Sequence, residues 1–225
     1  MSSFSDPQSI ATYAERPAKQ VPGFHALQRM TALLLAETVP HDGHVLVLGA
    51  GGGLELKVFA EAQPEWNLVG VDPSAEMLKL ASATLGPLAS RAELHEGYID
   101  TAPEGPFDGA TCLLTLHFLT AEERLHTLTE LRQRLKPGAP LIVAHHSVPQ
   151  AEDQKMRWLN RYVAFAAASG VPPQDAKNAA AAINDRLPLL SPEQEVALLQ
   201  EAGFGNVELF YAGFTFKGWI AYNPS

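Results

Sequence analysis

The chain has 225 residues, 46% hydrophobic and 18% charged, with a formal net charge of −9 and a single cysteine, Cys112. That length suits one α/β domain with a sizeable core, and the acidic balance argues against a broad phosphate-binding surface. One thiol excludes an intramolecular disulfide and suits a reducing cytoplasm, and no twenty-residue apolar span, zinc-like Cys/His spacing, repeat or low-complexity tract occurs.

Residues 1 to 22 read as irregular and polar, punctuated by Pro7, Pro17 and Pro22; the stretch Met1 to Gln8 does not resemble a signal peptide. Leu27, Met30, Leu34 and Leu35 recur at helical spacing and predict a helix over 24–38. His44 to Leu48 is an apolar run of the kind that forms a buried parallel strand. The turn Gly49-Ala50-Gly51-Gly52-Gly53 follows, then a helix over 54–63 closed by Pro64. Strand two, 67–72, ends in Asp72, and a helix over 73–85 is stopped by Gly86-Pro87. Further strands are predicted over 91–96, 107–114 and 141–145, with a helix over 120–135. Cys112 falls within the fourth of these strands and reads as core rather than nucleophile.

This alternation predicts a three-layer αβα sandwich around a mostly parallel sheet. The pattern then changes to two helices, 150–169 and 174–186, with no strand between them: a lid, or a packing extension of the core. A helix from Ser191 to Gly203 and two aromatic-rich strands, 207–210 and 215–222, complete seven strands with an antiparallel C-terminal hairpin turning near Gly213. The whole reads as one domain over 1–225, with residues 1–40 as an N-terminal helical cap and 150–190 as a helical insertion.

Glycines at the end of strand one let the backbone turn sharply and bring its N–H groups to a ligand. In a right-handed strand–helix–strand unit Asp72 lies beside that turn, where it can accept hydrogen bonds from a ribose diol. Asp72-Pro73 is also the signature of a helix cap and first helical residue. Turn and acid together, each at a strand's carboxyl end, point to a nucleoside site.

These features resemble the class I S-adenosylmethionine-dependent methyltransferases over roughly residues 40 to 222. The resemblance implies a Rossmann-like fold and S-adenosyl-L-methionine as cofactor. It assigns Gly49, Ala50, Gly51 and Gly53 to the methionine part and Asp72 to the ribose. Pro73 and Met77 fall near the adenine edge, Tyr98 and Ile99 beside adenine, and Leu113, Leu114 and His117 where strand four meets the methionine end. Two positions depart from the family pattern. The acid before the glycine turn is Val47 here, which leaves the cofactor's amino group to other acceptors such as the Gly49 carbonyl. The aspartate after strand three is Tyr98, which leaves adenine to the Ile99 amide and to stacking. Val21-Pro22-Gly23-Phe24, Leu114 to Leu119, Lys136-Pro137-Gly138 and Phe210 to Phe216 further resemble the carboxy-S-adenosylmethionine synthases of tRNA wobble-uridine modification. Those enzymes hold a carboxylate with an arginine where this chain has Asn178 to Ala182, merely flanked by Lys177 and Arg186, so ordinary methyl transfer is the preferred reading.

His117, His145 and His146 are candidate general bases, although strand alternation turns only one of the last two toward the cleft. Tyr13, Phe24, Trp158, Tyr162, Tyr211 and Phe214 are candidates for an acceptor pocket, against the plain alternative that they are core. A small-molecule acceptor is expected; nucleic acid is disfavoured because Lys and Arg in 150–186 are scattered among Asp and Glu, while tRNA and a homodimer stay open. No metal and no membrane contact is expected. The rivals are a nicotinamide-dependent oxidoreductase, disfavoured by Leu54 at the sixth place of the turn, and a non-catalytic nucleoside-binding protein.

Overall fold

The computed structural model describes residues 7–224, with side chains from Tyr13 onward except that of residue 14. Part of the polar N-terminal stretch, residues 1–6, lies outside the described residues. Seven strands form one sheet in the order β3-β2-β1-β4-β5-β7-β6. They are β1 (His44–Leu48), β2 (Asn67–Asp72), β3 (Ala92–Glu96), β4 (Gly109–Leu113), β5 (Pro140–His146), β6 (Gly205–Gly213) and β7 (Phe216–Tyr222). The first five are parallel, β7 runs antiparallel to β5, and β6 antiparallel to β7. The expected three-layer sandwich and C-terminal hairpin are therefore present, with β6 longer and β4 shorter than the sequence suggests.

Alternation divides the core between the two faces of the sheet. Val45 and Val47 of β1 and Ile142 and Ala144 of β5 pack with α2 (Phe24–Ala36) and α3 (Leu54–Ala62). Leu46, Leu48, Val69, Val71 and Val143 pack with α5 (Ala121–Arg134) and α8 (Pro192–Glu201). A strand covered on both faces must be apolar throughout, which is why HVLVL shows no polar alternation. Between these come α4 (Ala75–Leu85) and the two insertion helices, α6 (Glu152–Ala168) and α7 (Pro173–Arg186), which pack on each other.

The sequence reading of residues 1–22 as irregular is overturned by α1 (Pro7–Gln20), which contains Pro17. A proline inside a helix removes one hydrogen bond, and packing of α1 against α2, α4 and α6 compensates for it. This helix closes the N-terminal cap over the carboxyl ends of the strands.

The layer of α5 and α8 is fastened by a buried ion pair. Arg124, fully buried, pairs with Glu195 and donates to the carbonyls of Leu119 at 3.1 Å and Pro188 at 2.7 Å. The guanidinium so ties the loop after β4 and the entry to α8 to one point. Arg124→Met leaves Glu195 without its cation partner in the interior. It is expected to lower unfolding free energy by about 3–5 kcal/mol in urea titrations, and a loss below 1 kcal/mol would refute this role.

Candidate cofactor and acceptor site

The turn after β1 is closely packed. Gly49 takes φ +76°, and a Cβ there would collide with the Thr115 hydroxyl in the loop after β4. Gly52 donates its amide to the Tyr13 phenol oxygen at 2.9 Å, and a side chain at 52 would run into that ring. Burial, opposed by the Gly52 hydrogen bond and reinforced by the nearby Asp72 and Glu55 carboxylates, raises the Tyr13 pKa, so its hydroxyl stays protonated. Asp72 Oδ2 accepts from the Gly51 amide at 2.9 Å and Oδ1 from the Ser74 amide at 3.0 Å. Ser74 is the cap of α4, its hydroxyl accepting from the Met77 amide at 3.2 Å. The helix-cap reading of Asp72-Pro73 is thereby corrected: Ser74 caps α4, while the Asp72 carboxylate braces the glycine turn with one oxygen and the entry to α4 with the other.

Three cavities meet here. One of about 360 Å³ is lined by Gly49, Pro73, Tyr98 and Ile99. A second of about 300 Å³ is lined by Gly49, Ala50, Gly51, Glu55, Asp72 and Met77, with Leu113 and Leu114. A third of about 500 Å³ lies beyond Leu114, under α1, α6 and α7. Phe118 borders all three and is 63% exposed. Leu114, a non-glycine residue at φ +57°, forms the partition between the second and third.

Most of the residues singled out in the sequence gather on these walls, with several corrections. Met77 lines the second cavity with the glycine turn rather than the Tyr98–Ile99 cavity, and α4 starts two residues later than expected. Gly53 lines none of the three; it lies behind the turn, where a Cβ would press on the backbone of Ala81. Tyr13 and Tyr162 line the third cavity, whereas Phe24 lines the second. Trp158, Tyr211 and Phe214 line none of them. Trp158 lies under the Arg161 guanidinium at 4.3 Å, Tyr211 donates to the Pro22 carbonyl at 2.6 Å, and Phe214 packs on Phe165.

The histidines separate by strand alternation. His145 points to the α5/α8 face, 3.1 Å from Glu195 and against Trp219, and leaves the set of candidate bases. His117 and His146 line the third cavity. Burial, with positive neighbours adding to it, lowers the His117 pKa well below its ordinary value and that of His146 to about 3. Both rings are therefore neutral near pH 7. His117 Nδ1 accepts from the His146 amide at 3.3 Å, which places the proton of the neutral ring on Nε2. His146 Nδ1 shares a hydrogen bond with the fully buried Thr215 hydroxyl, 2.9 Å away. The neutral His117 ring is thus a hydrogen-bond donor through Nε2.

Three residues on these walls escape the sequence reading. Arg16 and Arg186 line the third cavity, form no ion pair among the described residues, and share it with no aspartate or glutamate. Glu55 is 7% exposed in the second, accepts from the Thr111 hydroxyl, and has no cation partner among the described residues. Burial pushes its pKa up to about 7.

A family model described as a methyltransferase domain matches residues 45–138, from β1 to the end of α5 and the turn beyond it. A carboxy-S-adenosyl-L-methionine synthase of Chromohalobacter salexigens is 26% identical over 98% of this chain and 83% of its own. Among solved structures, an O-methyltransferase family protein from Burkholderia thailandensis superposes with TM-score 0.62 at 16% identity over 88% of this chain and 57% of its own. Human N-acetylserotonin methyltransferase, solved in complex with S-adenosylmethionine, gives TM-score 0.60 at 16% identity over 89% of this chain and 55% of its own. The chain spans little more than half the length of either structure.

The methyltransferase-domain model thus matches the β1-to-α5 part of the chain, and the solved structures share its fold. The relatives matched over most of the chain are carboxy-S-adenosyl-L-methionine synthases, to which its similarity is distant. No helix among the described residues is long and apolar enough to cross a membrane.

The raised Glu55 pKa makes stability depend on pH with a definite sign. The folded protein retains a proton that the unfolded chain, near 4.5, has lost, so stability falls as pH rises from about 4.5 through 7. Glu55→Gln does not ionise. At pH 8 it should be more stable than the parent by on the order of 2 kcal/mol, with the gap closing toward pH 5. Urea titrations at the two pH values check this; a gap independent of pH would contradict it.

Proposed function

We propose that the protein transfers a methyl group from S-adenosylmethionine to a small acceptor that carries a carboxylate or similar anionic group. The observation that carries the acceptor class is the third cavity: two arginines and two imidazoles line it, and no carboxylate lines it with them, on a chain of net charge −9. An anion there gains charge-assisted hydrogen bonds that a neutral acceptor does not.

The residues present fit the cofactor. Gly49 borders both cavities beside the turn, with Ala50 and Gly51 on the wall of the second, and the two cavities are of nucleoside size. In this reading Tyr98, Ile99 and Pro73 hold the adenine, Asp72 the ribose, and Gly49 to Gly51 with Leu113 and Leu114 the methionine end. When bound, the cofactor supplies an electrophilic methyl group on a sulfonium. The chain's own residues then orient the acceptor: Arg16 and Arg186 hold its anionic group, His117 donates to its oxygens, and Tyr162, Ile183 and Phe216 exclude water. An acceptor oxygen that is already ionised needs no base, so positioning supplies the rate.

A second reading has its own support. Arg186 shares the third cavity with Ala179, Ala182 and Ile183, which restores to α7 an arginine the carboxy-S-adenosylmethionine synthase reading requires. Mass spectrometry of nucleosides released from the purified protein separates the two: S-adenosylmethionine or S-adenosylhomocysteine supports methyl transfer, and a carboxylated cofactor supports the synthase. The same reading makes this a cytoplasmic enzyme, which the one buried free thiol suits. Retention of tRNA, or a dimer mass by light scattering, would revise its partners.

Arg16→Ala and Arg186→Ala are each expected to raise KM for a carboxylate acceptor about tenfold or more, with nucleoside binding unchanged. An unchanged KM for the carboxylate acceptor in both variants would refute the anionic class.

A further inference from the structure

The reading above leaves the α-ammonium of the cofactor without an acidic partner, since β1 carries Val47 before its glycine turn. We propose that Glu55, on the first turn of α3, receives that ammonium, so that the chain has moved the acid from strand to helix. The inference rests on S-adenosylmethionine being the cofactor.

The placement follows from register. Val47 pairs with Thr111 across the β1–β4 ladder, and alternation puts the two side chains on the same face of the sheet, toward α2 and α3. The Thr111 hydroxyl donates to Glu55, so the helix carboxylate rests over the strand position where an acid at 47 would project. Glu55 also borders the central cavity together with Gly49, Gly51 and Asp72. Sequence alone hides this, because an acidic residue in a helix's first turn is ordinarily explained by the helix dipole.

The energetics point the same way. A carboxylate removed from water with one hydroxyl partner and no cation is unfavourable in its charged form. The groups facing it do not relieve this. Tyr13 on α1 is a neutral phenol, Asp72 on β2 is itself an acid, Cys112 on β4 has a thiol pushed up by burial, and Gln28 on α2 is uncharged. What is lacking is one buried cation, and an ammonium supplies it together with donors for the free carboxylate lone pairs.

Titration calorimetry on the whole protein tests this with two probes, S-adenosylhomocysteine and 5′-methylthioadenosine, which has the nucleoside and sulfur but no amino-acid end. Glu55→Gln keeps the Thr111 contact and the side-chain volume. It is expected to weaken S-adenosylhomocysteine by about tenfold to a hundredfold while leaving 5′-methylthioadenosine within about twofold. At pH 6, where the apo carboxyl is largely protonated, S-adenosylhomocysteine binding to the parent should release a proton, read from the dependence of the heat on buffer ionisation enthalpy. The Gln variant should release none. Unchanged affinity of S-adenosylhomocysteine for the variant, or equal loss of the two probes, overturns the role of Glu55 while leaving the cofactor intact. Failure of the parent to bind either probe overturns the cofactor itself.

Discussion

Three segments of chain press on the turn after β1 so closely that two of its positions have no room for a side chain. The Thr115 hydroxyl occupies the space a Cβ would need at Gly49, and the Tyr13 ring occupies it at Gly52. Asp72 completes the clamp by accepting the Gly51 amide. These contacts come from β4, α1 and β2, far apart in sequence, and their meeting point fixes where the cavities open. The cleft is a consequence of that crowding: strands end at the same edge, the chain must leave each of them, and the turn that leaves β1 is held from three sides.

Charge is distributed around this clamp in three ways. Glu195 is buried but satisfied by Arg124, with His145 beside it, on the face away from the cleft. Glu55 is buried beside the turn with a hydroxyl as its one partner. Arg16 and Arg186 stand in the acceptor cavity without a carboxylate. The first arrangement holds structure together. The second leaves a carboxyl without a cation inside the fold, an expense that a stability argument alone does not explain and that a ligand ammonium would offset, whereas the two arginines are exposed and solvated at the cavity wall.

Much of this was legible in the sequence. β1, its glycine turn and β2 stand out because apolar runs bounded by glycine carry one meaning in a doubly wound sheet, and the terminal hairpin shows through its aromatic alternation. Other parts were hidden for physical reasons. Pro17 reads as punctuation, whereas tertiary packing carries α1 straight through it. Alternation announces that one of His145 and His146 faces the cleft, but not which one; that depends on the register of β5 against β4 and β7. Arg186 follows Ala179, Ala182 and Ile183 at helical spacing, so its face was readable, yet what that face meets depends on how α7 folds back on α6. Aromatic residues misled most. Trp158, Tyr211 and Phe214 look like pocket walls, but each is taken up by a neighbour: a guanidinium, a carbonyl and another ring.

The central claim is that the β1 turn holds the methionine end of S-adenosylmethionine and that the arginine-bearing cavity beyond Leu114 takes the acceptor. A crystal structure of the protein with S-adenosylhomocysteine tests it most directly. The account predicts adenine beside Ile99, the ribose at Asp72, the amino-acid end over Gly49 to Gly51, and the sulfur directed at the cavity lined by His117 and Arg186. A nucleoside bound elsewhere, or one whose sulfur faces away from that cavity, would contradict it.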